Sequence, residues 1–179
     1  MNALLSLSRG IDKLNDKTAV IAIWAVLASC AISALNAIVR YAFNYSSNGY
    51  TEIQWYLFAV VVMLGACQVL RVNEHVRVDV LYGLYGGRGQ AIVDLLGFIF
   101  FLMLSMSVML YYSWPLFVKM YQSGEMSSNA GGLIRWPVML LLPLGFSLML
   151  LQGLSEIIKR IAWLSGQYQG DFHYERPLQ

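Results

Sequence analysis

The sequence predicts an all-α integral membrane protein: a four-transmembrane-helix bundle with short amphipathic interfacial helices and cytoplasmic N and C termini. Three observations carry this. Four long apolar runs, Thr18–Val39, Ile53–Leu70, Ala91–Tyr112 and Val138–Ile158, occupy most of the 179 residues. At about 1.5 Å of rise per residue, roughly 20 residues cross a hydrocarbon core of about 30 Å. The composition is 58% hydrophobic and 12% charged, about half the charged share of an ordinary soluble domain. Finally, the basic residues sort by side. Arg9, Lys13, Lys17, Arg71, Arg77, Arg88, Lys159, Arg160 and Arg176 fall on one side of the four runs, and Arg40, Lys119 and Arg135 on the other. The positive-inside tendency then sets both termini and the middle connection in the cytoplasm. Aromatic residues that favour the headgroup level, among them Tyr41, Tyr50, Trp55, Trp114 and Trp136 outside and Tyr85 and Trp163 inside, fit the same frame.

The chain reads as one membrane domain over 1–179. In residues 1–17, Leu4, Leu7, Ile11 and Leu14 recur at helical spacing between charged residues, the pattern of an interfacial amphipathic helix. The first span, 18–39, carries a small and weakly polar stripe of Ala22, Ala25, Ser29, Ser33 and Asn36 leading to Arg40. Small residues let helix backbones approach, and hydroxyls and amides bond across such seams. This run is too long for a signal-peptide core and ends at Arg40-Tyr41 rather than at a small-x-small cleavage site. Glu52 precedes the second span, 53–70, where an acid suits a helix N-terminus, and Gly65-Ala66 offers a close-contact point deeper in. The cytoplasmic connection, 71–90, holds His75-Val76-Arg77-Val78-Asp79, which alternates polar and apolar residues; Arg77 and Asp79 are expected to pair.

The third span, 91–112, leads into a periplasmic loop, 113–137, rich in small and amide residues from Ser123 to Gly132. Such composition favours a compact turn, and Gly131-Gly132 permits positive φ. The Gly pair lacks the preceding strand and following lysine of a phosphate-binding loop. Pro137 suits the first turn of the fourth span, 138–158, with Arg135 and Trp136 anchored at the headgroups. Within that span Pro143 removes a backbone donor and Gly145 follows, a combination read as a packing device. Glu156 stands three and four residues before Lys159 and Arg160, suited to pairs on the helix surface at the start of the 159–179 tail.

Several function classes are disfavoured. A net charge of +2 with scattered basic residues offers no nucleic-acid stripe. His75 and His173 lie outside the spans, so no pair faces across a bundle to ligate haem. Cys30 and Cys67 have no metal-ligand spacing and read as small packing residues. Ion and proton paths usually leave an ionisable group inside the membrane. Here the acids within the runs are Asp94 and Glu156, each near a helix end. A stand-alone transporter or channel, the alternative reading, would have to rely on Asp94.

The segments Asn36-x-x-x-Arg40-Tyr41-x-Phe43, Glu52-x-x-Trp55-Tyr56-Leu57-Phe58, Gly65-Ala66, His75-Val76-Arg77-Val78-Asp79 and Pro143-x-Gly145, in this order on four spans, resemble the small membrane subunit of tripartite ATP-independent periplasmic (TRAP) transporters. The resemblance covers essentially the whole chain. It implies no enzyme activity and no cofactor in this chain, with sodium expected in a partner subunit. That partner is a large multi-span permease subunit in the bacterial inner membrane, served by a periplasmic substrate-binding protein. It further implies that this chain is an accessory scaffold for sodium-coupled uptake of small organic acids. The Ser123–Pro137 segment is similar to a branch associated with 2-oxo acids or other small organic acids. Under this reading Ser29, Ser33, Asn36, Arg40, His75, Arg77, Asp79, Pro143 and Gly145 are expected to meet the large subunit. Glu52, Glu125, Ser127, Asn129, Arg135 and Trp136 are expected to meet the binding protein.

Overall fold

The computed structural model describes residues 2–45, 47–72, 85–129 and 131–168. His75, Arg77 and Asp79 lie outside them. The described chain is helical, with helices α1 (Asn2–Phe43), α2 (Asn48–Val72), α3 (Gly87–Ser123) and α4 (Trp136–Leu164). All four are long and apolar enough to cross a membrane.

Two helices run further than the hydropathy pattern predicts. The segment expected as a separate interfacial helix is continuous with the first span, making α1 a single helix of 42 residues. No proline interrupts it, and its polar positions Ser8 and Asn15 are buried and bonded to another helix rather than left to lie flat in an interface. Likewise α3 continues through Ser113-Trp114-Pro115 to Ser123, consuming the first part of the expected outer loop. Its end is set by Gly124, whose left-handed φ of 60° stops the helix where other residues would be strained.

The helices do not surround one axis. Helices α1, α2 and α4 pack against one another in a triangle, while α3 lies along α4 and makes no comparable contact with α1 or α2. The expected bundle is therefore three-cornered, with a fourth helix laid against one corner. The triangle's core is Ala22, Leu64, Cys67 and Leu148, flanked by Val60 and Met149. Helix α4 touches every other helix and is correspondingly the most buried of the four.

Glycine sets the two closest approaches to α4. A Cβ at Gly145 would sit 2.8 Å from the Met63 Cβ and 3.1 Å from the Met63 carbonyl oxygen, so α2 rests directly on this backbone. A Cβ at Gly153 would lie 2.5 Å from Leu102 Cδ2, where α3 widens into a π-helical turn over Phe98–Met103. The Ser105 hydroxyl donates to the carbonyls of Phe101 and Leu102 at the end of that turn. At Gly65, by contrast, an added Cβ would reach ordinary contact, 4.0 Å from Ala22 Cβ. The tight points between helices are thus Gly145 and Gly153, not Gly65.

Gly145→Ala is therefore expected to destabilise the protein by about 1–3 kcal/mol, the usual cost of forcing an extra methyl into a packed site. Gly10→Ala, with nothing within 4 Å of the new Cβ, should be neutral or slightly stabilising. Thermal unfolding of both variants in detergent checks the pair.

Candidate functional site

The polar groups gather at the two ends of the helices. At the loop end, the chain between α3 and α4 folds on itself. Met126 and Ile134 form an antiparallel bridge. Ser127 N–H donates to the Leu133 carbonyl (2.9 Å), and Arg135 N–H donates to the Glu125 carbonyl (3.0 Å). Gly131, at φ 73°, and Gly132 turn the tip, where a Cβ on Gly132 would be 2.6 Å from Ser127 Cβ. A half-exposed ion pair, Arg135 Nη1 to Glu125 Oε1 at 2.7 Å, spans the base.

Glu52 on α2 fastens this loop. Its Oε1 accepts from the Ser127 hydroxyl and from Asn129 Nδ2 (2.7 Å), and its Oε2 accepts from the Leu133 N–H (2.7 Å). The residue is 3% exposed. The helix-cap role that its position suggests gives way to these three bonds across to the loop. Tyr56 OH adds a bond to the Ile134 carbonyl at 3.1 Å, and Trp136 meets the Tyr121 ring edge-on at 5.5 Å. Of the residues expected to meet a binding protein, Glu52, Ser127 and Asn129 are thus joined to one another, Trp136 is half buried against Tyr121, and Glu125 and Arg135 stand at the rim.

At the opposite end, a ladder of side chains ties α1 to α4. Ser8 and Ser155 hydroxyls lie 2.7 Å apart, and Asn15 Nδ2 donates to Gln152 Oε1. Gln152 Nε2 donates to both Asp12 Oδ1 (3.1 Å) and Glu156 Oε1 (3.0 Å). Lys159 pairs with Glu156 (2.5 Å) and Asp12 (3.3 Å). Arg160 pairs with Glu156 (2.6 Å) and with Asp94 of α3 (3.0 Å), and its guanidinium lies 4.5 Å from the Phe98 ring centroid. Arg71 of α2 reaches Asp16 of α1. Arg160 is 2% exposed, and Asn15 and Gln152 are fully buried. The pairs from Glu156 to Lys159 and Arg160 do form, but inside the protein rather than on a helix surface.

Sequence reasoning missed Ser8, Asp12, Asn15, Gln152 and Ser155 as a set. A signal existed. Positions 8, 12 and 15 and positions 152, 155, 156 and 159 are both spaced by three or four residues, so each set forms one polar face at a helix end. Such faces satisfy each other at low cost only when they meet.

The remaining expected contact residues divide. Pro143 and Gly145 are buried in the chain's own packing against α2. Along α1, Ala22 and Ala25 are buried in the triangle, whereas Ser29 and Asn36 are half-buried and Ser33 and Arg40 exposed. Asn36 Oδ1 is enclosed yet has no hydrogen-bond partner. Among the described residues, no group of His, Cys, Asp or Glu is arranged to hold a metal ion.

Residues 19–162 match the family model described as tripartite ATP-independent periplasmic transporters, DctQ component. Neither a curated protein nor a solved structure matches the chain.

Two substitutions separate the clusters. Glu52→Gln keeps the shape but turns a double acceptor into a partial donor, and should weaken the loop anchor by about 1–3 kcal/mol. Faster amide exchange over 125–135, with exchange in α4 unchanged, is the expected readout. Glu156→Ala leaves Lys159 and Arg160 short of a buried counter-charge and should cost about 3–5 kcal/mol overall. A lowered global melting temperature checks it.

Proposed function

The chain belongs to the DctQ component family of tripartite ATP-independent periplasmic transporters, and from this premise we propose that it is the scaffold subunit of such a transporter in the bacterial inner membrane, packing on a large permease subunit and helping a periplasmic substrate-binding protein dock. It is a transporter component, not an enzyme. The cargo in this reading is a small organic acid, a dicarboxylate or a 2-oxo acid, and sodium coupling resides in the large subunit. Both termini and the ladder end face the cytoplasm; the loop end faces the periplasm.

The observation that carries the proposal is where polar groups lack partners. Asp94, the lone acid that a self-contained transport path would use, is held by Arg160. Ser29, Ser33, Asn36 and Arg40, by contrast, make no hydrogen bond or ion pair among the described residues. In hydrocarbon an unpaired amide is unfavourable, so the Asn36 Nδ2, which is not enclosed by the chain as Oδ1 is, calls for an acceptor from outside the chain. A helix of the large subunit presenting a hydroxyl or carbonyl acceptor to Asn36 and an acid to Arg40 supplies both. At the other face, the Glu52-anchored loop gives the binding protein a shaped surface whose charges are Glu125 and Arg135. A pre-shaped loop spares the ordering entropy that a loose one would lose on docking.

Co-expression with the permease and binding protein tests the two contacts separately. A single loss of an intramembrane bond, as in Asn36→Leu, is worth only about 0.6 kcal/mol and should leave the complex intact. Asn36→Leu combined with Arg40→Glu should abolish co-purification of the large subunit. Arg135→Glu should preserve co-purification but lower uptake by roughly tenfold or more, because like charges juxtaposed across an interface cost several kcal/mol. Uptake by this chain alone in liposomes would overturn the reading.

A further inference from the structure

The outer loop has two faces, and its cross-strand pairing sorts the side chains between them. The bonds from Ser127 N–H to the Leu133 carbonyl and from Arg135 N–H to the Glu125 carbonyl bracket the Met126–Ile134 bridge. In an antiparallel pair that pattern makes Met126 and Ile134 a non-hydrogen-bonded couple, the kind whose side chains stand closest. Successive side chains alternate between faces. The Ser127 hydroxyl bonds Glu52, so Ser127, Leu133, Glu125 and Arg135 share the face turned to α2, where Glu125 and Arg135 pair with each other. Met126 and Ile134 take the face turned away from α2. They are 62% and 41% exposed.

The pair lies outside the hydrocarbon. Ile134 stands on the loop side of the Arg135-Trp136 headgroup anchor, and Met126 stands beyond the Gly124 that ends α3. Its flanking residues in the loop, Glu125, Ser128, Asn129 and Arg135, are polar. A small apolar centre with a polar rim has the anatomy of a protein–protein contact. The size of the patch selects the partner. A subunit that stays bound covers a broad apolar area, whereas a soluble partner that leaves in each cycle needs a patch small enough to stand bare in water. An acyl chain would require neither the rim nor the fixed spacing that the backbone bonds and the Glu52 clamp impose. We propose that Met126 and Ile134 form the apolar contact by which the soluble substrate-binding protein holds this subunit. That contact presupposes the docking role proposed for the loop, and it divides the work within it. The Glu125 and Arg135 charges steer the encounter, and the apolar pair sets how long the complex lasts.

The test holds this chain with its large subunit in nanodiscs on a biolayer-interferometry tip and exposes it to the purified substrate-binding protein. Met126→Ser combined with Ile134→Ser should raise the dissociation rate about tenfold and leave the association rate within about twofold of the wild type. Arg135→Glu should act in the other way, slowing association and changing its salt dependence. Both apolar side chains are exposed, so amide exchange over 125–135 should stay slow in the double variant and the large subunit should still co-purify. If exchange rises, Met126→Ser alone, at the more exposed site, should raise the dissociation rate about threefold. An unchanged dissociation rate, with Arg135→Glu still slowing association, overturns the apolar contact and leaves the docking role standing. Unchanged kinetics in every variant overturns the docking role itself. Loss of the large subunit from the double variant overturns the choice of partner.

Discussion

The fold depends on the burial of Arg160. Its guanidinium is shared between Glu156 one turn earlier on α4 and Asp94 on α3, with the Phe98 ring beneath it. A charge so enclosed is tolerable only when its partners are fixed as well. Glu156 is fixed by Gln152 and Lys159, and these in turn bind Asn15 and Asp12 on α1. Three helices are therefore held in register by one chain of charge-assisted bonds. Apolar packing contributes little such selection in a membrane, because lipid tails are as good a neighbour for leucine as another helix is. The polar ladder therefore sets the relative height of α1, α3 and α4, and the Gly145 and Gly153 contacts set how near α2 and α3 come to α4.

At the other end Glu52 performs a similar task with fewer partners. The loop it holds lacks an apolar core of its own, since its tip, Ser127 to Gly132, consists of Ser, Asn, Ala and Gly residues. Its shape follows from the bonds between Glu125 and Arg135, between Ser127 and Leu133, and from three further bonds to one carboxylate. Such a loop keeps small polar residues ordered at a membrane surface, where hydrophobic burial is not on offer. This is why the same residues that look like docking groups in the sequence are also those that shape the surface.

The sequence reveals the spans well because hydropathy sums over many residues and one substitution barely alters it. It reveals their limits less well. The apolar run ends at Tyr112, yet α3 passes on through Pro115, and Gly124 makes the real stop. It does not reveal the placement of α3, because an apolar residue facing lipid is chemically the same as one facing another helix. Glu52, Ser127 and Asn129 stand out in the sequence as individual residues, but their mutual bonding spans more than seventy positions, which no local pattern encodes. Glu156 is visible as a partner for Lys159 and Arg160 by spacing alone; that all three are buried follows only from the approach of Asp12 and Asp94.

Helix α3, fastened to α4 by Asp94 at one end and by the Tyr121–Trp136 ring contact at the other, turns most of its circumference outward. Phe100, Phe101, Leu104, Tyr111 and Tyr112 are all widely exposed on it. Where lipid covers that face, the helix meets the bilayer directly. Its tilt then answers to bilayer thickness, since a mismatch between apolar length and hydrocarbon depth is relieved by leaning or by thinning the membrane. Through the ladder at its foot, such a lean would pass to α4 and α1 and couple the membrane's thickness to the pitch of the other helices.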